Sequence, residues 1–306
     1  MTVHSEEAQR DKNQAAMTSV VAAIGLTTFK IIVGLLTNSL GILAEAAHSG
    51  LDLVTALVTF FAVRLSSKPA DKEHTYGHGK IENLSALFET LLLLATCVWI
   101  IYEAIQRLFF RPGVEVDPSI WAFIVMGTSI VIDLGRSRVL YRAAKKYKSQ
   151  ALEADALHFS TDIWSSSVVI FGLVCVLLSR LVPALSFLKY ADAVAALGVA
   201  LIVIYVSIEL GIRTIHGLLD TAPKGLAEQI KAAFETVPGV EDCHNIRIRA
   251  SGAHTFVDVH VVVDGDLPTR ETHALTELLE KKVEELSPGA DVTIHVEPAE
   301  MTPSVE

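Results

Sequence analysis

Six apolar stretches, at roughly residues 17–39, 41–65, 82–107, 117–136, 156–181 and 190–214, constrain this 306-residue chain more than any other feature. Each approaches or exceeds the ~20 apolar residues that a helix needs to cross a bilayer. A chain that is 51% hydrophobic is also too apolar for an ordinary soluble domain. Lipid offers the backbone no hydrogen-bond partners, so such stretches are expected to be helices. The polar start "MTVHSEEAQRDKNQAAM" has no apolar core with a small-residue cleavage site, so residues 1–16 read as a tail and not a secretory signal. From about Arg213 the sequence becomes charged and alternating. The expected fold is therefore membrane α-helical, with six transmembrane helices over 17–215. A C-terminal cytoplasmic α+β domain over 216–298 and a short tail over 299–306 follow.

Orientation follows from Lys and Arg. The N-terminal tail, the segment around 64–80 and the stretch "GRSRVLYRAAKKYKS" together hold twelve, whereas the opposite loops hold only Arg107, Arg111, Arg180 and Lys189. By the positive-inside rule both termini are expected in the cytoplasm. The formal charge of −10 arises largely in the tail and the C-terminal region and carries no nucleic-acid footprint. Cys97, Cys175 and Cys243 show no CxxC spacing, which argues against a disulfide framework and a thiolate metal site.

The C-terminal region reads helix, strand, strand, helix, strand. "KGLAEQIKAAFETV" and "RETHALTELLEKKVEEL" have helical spacing, and "HNIRIRA", "TFVDVHVVVD" and "DVTIHVE" alternate. An αββαβ unit of this size predicts a small open sheet covered by helices on one face, a ferredoxin-like pattern. Neighbours in a strand point to opposite faces. Val257, Val259 and Val261 thus face the core, as do Val292, Ile294 and Val296, while His260, His295 and Glu297 emerge on the uncovered side. With His244 at the start of the first strand and His273 near the edge of the long helix, four histidines and a carboxylate form a candidate metal cluster.

Inside the apolar stretches stand the costliest residues. "AEAAHSGLD" places Glu45, His48 and Asp52 in the second span, and "ADALHFSTD" places Asp155, His158 and Asp162 in the fifth. Ionisable groups at membrane depth mark a pathway or a partner. Positions four apart share a helix face, so His48 with Asp52, and His158 with Asp162, each line one stripe. Two facing stripes would converge two imidazoles and two carboxylates. That nitrogen and oxygen set suits zinc in tetrahedral geometry, with cobalt, iron and cadmium as alternatives. Two aspartates neutralise one divalent ion. An emptied site leaves adjacent carboxylates that recruit protons, and metal needs deprotonated ligands, so the chemistry predicts exchange of metal for protons. A lone HxxxD suits polar glue between helices, but a duplicated one suits it poorly.

With six spans, two HxxxD motifs, "YGHGKIENL" at the start of the third span and the αββαβ domain, the chain resembles the cation diffusion facilitator family of zinc/proton antiporters over nearly its full length. The resemblance implies a transport site of His48, Asp52, His158 and Asp162. It implies a further metal held by Asp71, His74 and His78 in the loop "DKEHTYGHGK", and zinc ions near a dimer interface held by His244, His260, His273, His295 and Glu297. It also implies a homodimer in contact with membrane lipid, with zinc as both cargo and structural or regulatory ion, and protons as counter-substrate. The loop between the fourth and fifth spans is short and basic and lacks the His-rich segment common in eukaryotic members, which implies a bacterial inner-membrane exporter. The reading is of a transporter and not an enzyme.

Axial haem ligation by His48 and His158 is disfavoured by Asp52 and Asp162 one turn away, and no HExxH of an intramembrane metalloprotease is present. A metal-sensing receptor would keep the C-terminal cluster but has no need of the intramembrane four. Lys30 and Glu89 either pair or snorkel. Lys80 and Asp220 occupy positions where the family forms a charge link. Glu45 and Asp155 either relay protons or hydrogen-bond between helices.

Overall fold

The computed structural model describes residues 3–110, 120–181, 191–252 and 254–299. Two compact units emerge, one of residues 1–69 and 81–215, the other of residues 70–80 and 216–306. Arg111 and Lys189 lie outside the described residues, as do the side chains of Arg107 and Arg180 and the tail from Glu300.

The first unit is built on six long helices, α1 Val3–Thr37, α2 Leu40–Ser66, α3 Lys80–Ile105, α4 Ile120–Tyr147, α5 Gln150–Leu181 and α6 Ala191–Leu218. Among the described residues, α1, α2, α3, α4 and α6 are long and apolar enough to cross a membrane; α5 is 32 residues long. The helices outrun the apolar stretches in two places. The 1–16 tail is helical from Val3, because no Gly or Pro interrupts the chain before Gly25 and Glu, Gln, Arg, Lys and Ala make up most of the tail. The "short and basic" loop between the fourth and fifth spans is in fact the end of α4, whose Arg and Lys residues favour helix; only Lys148 and Ser149 remain as linker.

That linker has a twin. Asn38 and Lys148 both take the left-handed conformation, at φ 49° and 51°. The next residue's N–H, from Ser39 or Ser149, then donates back to Gly34 or Ala144, at 3.1 Å in both cases. Each serine caps the following helix through its side chain, to the N–H of Ile42 and of Leu152. The αα-hairpins α1–α2 and α4–α5 thus share one construction, and it sets His48 and His158 nine residues beyond matching caps.

α1 packs on α2 and α4, and α5 packs on α4 and α2. Their shared core holds Ala15, Ala16, Ala23, Ala56, Ala144, Ala151 and Ala156 around Val20, Val63, Leu140, Leu152 and Phe159. Small residues let backbones approach where lipid supplies no hydrophobic drive for helix association. Ala86, Ala154 and Leu210 join α3, α5 and α6. Glu82, 3% exposed, ties four elements: its carboxylate accepts from Lys12 Nζ at 2.7 Å, from Ser66 Oγ at 2.9 Å and from Ser149 Oγ.

In the second unit α7 Leu226–Glu235, β1 Asp242–Ser251, β2 His254–Val263, α8 Thr269–Leu286 and β3 Asp291–Pro298 follow the expected αββαβ order. β2 is central, antiparallel to β1 and parallel to β3. Val257, Val259 and Val261 bury against Ile230 and Phe234 of α7 and Leu279 and Val283 of α8, so both helices cover the valine face. Residues 70–80 belong to this unit. Arg249 stacks on the Tyr76 ring at 3.6 Å, and Tyr76 meets Phe256 edge-on at 5.2 Å. Gly79 is required here, because a Cβ would stand 2.3 Å from the Ser251 carbonyl oxygen.

Candidate metal sites

His48 and Asp52 of α2 meet His158 and Asp162 of α5. His158 Nε2 lies 3.2 Å from Asp52 Oδ1 and 3.7 Å from Asp162 Oδ2; His48 Nε2 lies 3.9 Å from Asp52 Oδ1 and 3.8 Å from Asp162 Oδ1. Tetrahedral ligands about 2.0 Å from one ion stand about 3.3 Å from one another; ligand atoms of His48, Asp52 and Asp162 already lie within 4.8 Å of one another, and His158 flanks both carboxylates. His158 and Asp52 are buried, whereas the His48 side chain is 44% exposed, so the cluster is open at His48. Buried His158 Nδ1 and Asp162 Oδ2 have no hydrogen-bond partner. A donor set with spare lone pairs and no lysine or arginine bonded to it among the described residues is suited to a cation.

The surrounding ionisable groups are held elsewhere. Lys30 does not pair with Glu89: its Nζ donates to Ser49 Oγ at 2.8 Å and to Glu45 at 3.4 Å, because α1 packs on α2. Asp155 accepts from Ser19 Oγ at 3.2 Å, and Ser19 in turn accepts from Arg136 Nη2 at 3.1 Å. Arg136 also donates to Asp133 at 3.1 Å and covers the Phe159 ring at 3.4 Å. Arg136 is thus a buried residue of α4 and not one of the loop charges of "GRSRVLYRAAKKYKS". The overlooked signal is Asp133 and Arg136 three apart in "SIVIDLGRS", a helix-pair spacing in an apolar run.

In the loop of the second unit, Asp71 Oδ1 accepts the backbone N–H of Glu73 at 2.9 Å and of His74 at 2.7 Å. The His74 N–H holds the Asp71 carboxyl below the ordinary carboxylate value. His74 Nδ1 and His78 Nε2 stand 3.5 Å and 3.4 Å from it, so three donors face one point. Lys80 Nζ donates to Asp220 at 2.9 Å in the same unit.

On the sheet face away from the helices, His260 Nδ1 lies 2.7 Å from Glu297 Oε1, His244 Nε2 lies 3.3 Å from Oε2, and His295 Nε2 lies 3.7 Å from Oε1. His260 pairs in register with both His244 and His295. The hydrogen bond from His260 holds the Glu297 carboxyl below its usual value, so it stays an anionic ligand. His273 is not part of this group in the single chain. It sits on α8, over the opposite face, and is 3.7 Å from Glu277. Burial pushes the Cys243 thiol up to about 11, in keeping with its place in the core and not among ligands.

Comparison with known proteins follows the same division. The cation efflux transmembrane domain family matches residues 16–219, and the cation efflux protein cytoplasmic domain family matches 222–299. The chain is 31% identical over 299 residues to the cation-efflux pump FieF of Salmonella arizonae, covering 95% of this chain and 94% of the relative. It is 32% identical over 294 residues to FieF of Yersinia enterocolitica, covering 94% and 93%. Among solved structures, it is similar to the metal-bound C-terminal domain of the CzcD transporter from Thermotoga maritima at 34% identity, covering 26% of this chain and 92% of that one, with a TM-score of 0.23.

Proposed function

The chain belongs to the cation diffusion facilitator family of cation-efflux transporters, and from that premise we propose that it exports zinc in exchange for protons, through His48, Asp52, His158 and Asp162, as a homodimer with both termini in the cytoplasm. It is a membrane-integral transporter of divalent metal cations and not an enzyme. The convergence of His48, Asp52 and Asp162, with His158 Nε2 3.2 Å from Asp52 Oδ1, carries the zinc reading. Borderline ions favour imidazole nitrogen, whereas harder ions favour all-oxygen shells. Proton exchange follows from charge: without a cation, the two facing carboxylates are offset only by protons on the imidazoles or on themselves, and a divalent ion displaces those protons on binding. The sign follows directly. Lower pH favours the protonated ligands and weakens zinc binding; higher pH favours the loaded site.

The test is zinc flux into proteoliposomes holding a zinc-sensitive dye, with an imposed pH gradient. An outwardly directed proton gradient is expected to drive zinc inward against its own gradient, and collapse of the gradient with an ionophore is expected to stop it. Zinc movement indifferent to the gradient would end the exchange reading.

Asp71, His74 and His78, and separately His244, His260, His295 and Glu297, would hold resident zinc ions that brace the cytoplasmic domain. Zinc bound at exposed sheet positions favours whichever assembly it joins, linking metal to dimer stability. The full-length protein in detergent is expected to cross-link as a dimer more completely with added zinc. His260→Ala should lose most of that response, because it removes the residue central to the register pairs. Equal cross-linking of wild type and variant across a zinc titration would refute the regulatory role.

A further inference from the structure

Glu89 is a further acid at membrane depth that the cation site does not use. It lies on α3 and is 1% exposed. Its Oε1 touches Thr59 Oγ1 of α2 and stands 3.1 Å from Ser85 Oγ, while its Oε2 is buried with no hydrogen-bond partner. No lysine or arginine stands within ion-pair distance among the described residues. A charged carboxylate so placed would lack both a countercharge and a partner for half of its lone pairs, the least favourable way to bury an acid.

Hydrogen counting leads to the same protonation state. Thr59 has one hydroxyl hydrogen, and its Oγ1 is also 3.2 Å from the Thr55 carbonyl oxygen. That carbonyl only accepts. If Thr59 donates to Thr55, the Thr59–Glu89 contact is a hydrogen bond only when the carboxyl itself donates. A neutral acid then satisfies Thr55, Thr59 and Glu89 in one chain, with Ser85 donating to the same oxygen. We propose that Glu89 carries a proton in this conformation and releases it when a divalent cation loads the four-residue site, as a proton-carrying group of the transport cycle apart from the cation's own ligands. This rests on the zinc/proton exchange reading and adds to its proton count.

The charged groups that face Glu89 make the link. Asp155 and His158 of α5 are the charged groups whose field reaches it, α2 contributes the uncharged Thr59, bonded in turn to the Thr55 carbonyl, and α3 itself contributes Ser85. His158 is one of the four ligands, so Glu89 feels the charge that arrives there. A divalent ion that displaces one proton from its ligands leaves one positive charge behind, and that charge favours an ionised carboxyl nearby. Asp155 is the other acid in reach and also has one unpartnered oxygen, but its Ser19 partner is itself bonded to the Arg136 cation. The two hydroxyl partners of Glu89 are bonded to no cation among the described residues, so Glu89 holds the proton that is free to leave.

The experiment counts protons. Zinc is added to the weakly buffered, purified full-length protein in detergent, and protons released per zinc bound are read with an indicator dye. Glu89→Gln, which keeps the shape of the protonated acid, is expected to release fewer protons, by up to about one per cation at the intramembrane site; Glu89→Asp should restore part of the difference. Equal release from wild type and Glu89→Gln would overturn the proposal for Glu89 alone, whereas no release from the wild type would overturn the exchange reading with it. Infrared difference spectra on zinc addition cover the case where Glu89→Gln folds poorly. The wild type should lose a protonated-carboxyl band, and Thr59→Val, which removes the proton's acceptor but keeps the acid, should shift that band. Absence of the band, or its insensitivity to Thr59→Val, would likewise overturn the proposal.

Discussion

Asp162→Ala is expected to abolish zinc transport while leaving a folded protein. Asp162 stands 3.8 Å from His48 and 3.7 Å from His158, so its loss removes one of four donors and one of two negative charges that balance the cation. Outer-shell partners of metal ligands alone are worth about 10–100-fold in affinity, and removal of a direct ligand should exceed that. Asp52→Ala should do the same, since Asp52 Oδ1 is the oxygen nearest His158. Neither change should harm folding, because each relieves crowding between like charges. The measurement is initial zinc flux in proteoliposomes alongside thermal unfolding in detergent. Flux near the wild-type value in either variant would remove these residues from the transport site.

A large loss of stability is predicted for Arg136→Met. Arg136 is 4% exposed, and its guanidinium bonds Asp133 and Ser19 and lies over Phe159. Methionine keeps apolar volume against that ring but leaves Asp133 buried without its ion-pair partner and removes the cation behind the Ser19 that serves Asp155. Breaking a buried pair by removing one partner costs about 3–5 kcal/mol. Thermal unfolding in detergent should show a clear fall in the midpoint. Adding Asp133→Asn should recover part of it, because the second change removes one stranded charge. A single variant as stable as the wild type would mean that water, not Arg136, balances these acids.

Much of the fold was legible because its signals are local. The αββαβ order could be read from period-2 and period-3.6 patterns, and parity alone assigned Val257, Val259 and Val261 to the core and His260, His295 and Glu297 to the open face. Helix ends were less legible. Apolarity marks what lipid favours, but α1 and α4 continue into charged sequence because Arg, Lys, Glu and Ala are good helix formers in water as well. His273 illustrates the limit of composition. Its residue type suits the sheet cluster, yet α8 carries it over the other face.

The sequence by itself determined that the chain spans a membrane, that His48 with Asp52 and His158 with Asp162 share helix faces, and that the C-terminal strands present a histidine face. Each of these depends on side-chain periodicity along a single element. Which charges meet across elements was decided only by tertiary structure. Lys30 turns to Glu45 and Ser49, Arg136 bridges Asp133 and Ser19, Glu82 gathers Lys12, Ser66 and Ser149, and Glu89 is left with two hydroxyls. Those partners depend on the rotation and register of one helix against the next, set by close packing of alanines from α1, α2, α4 and α5. Periodicity says which face a residue occupies; only packing determines what that face meets.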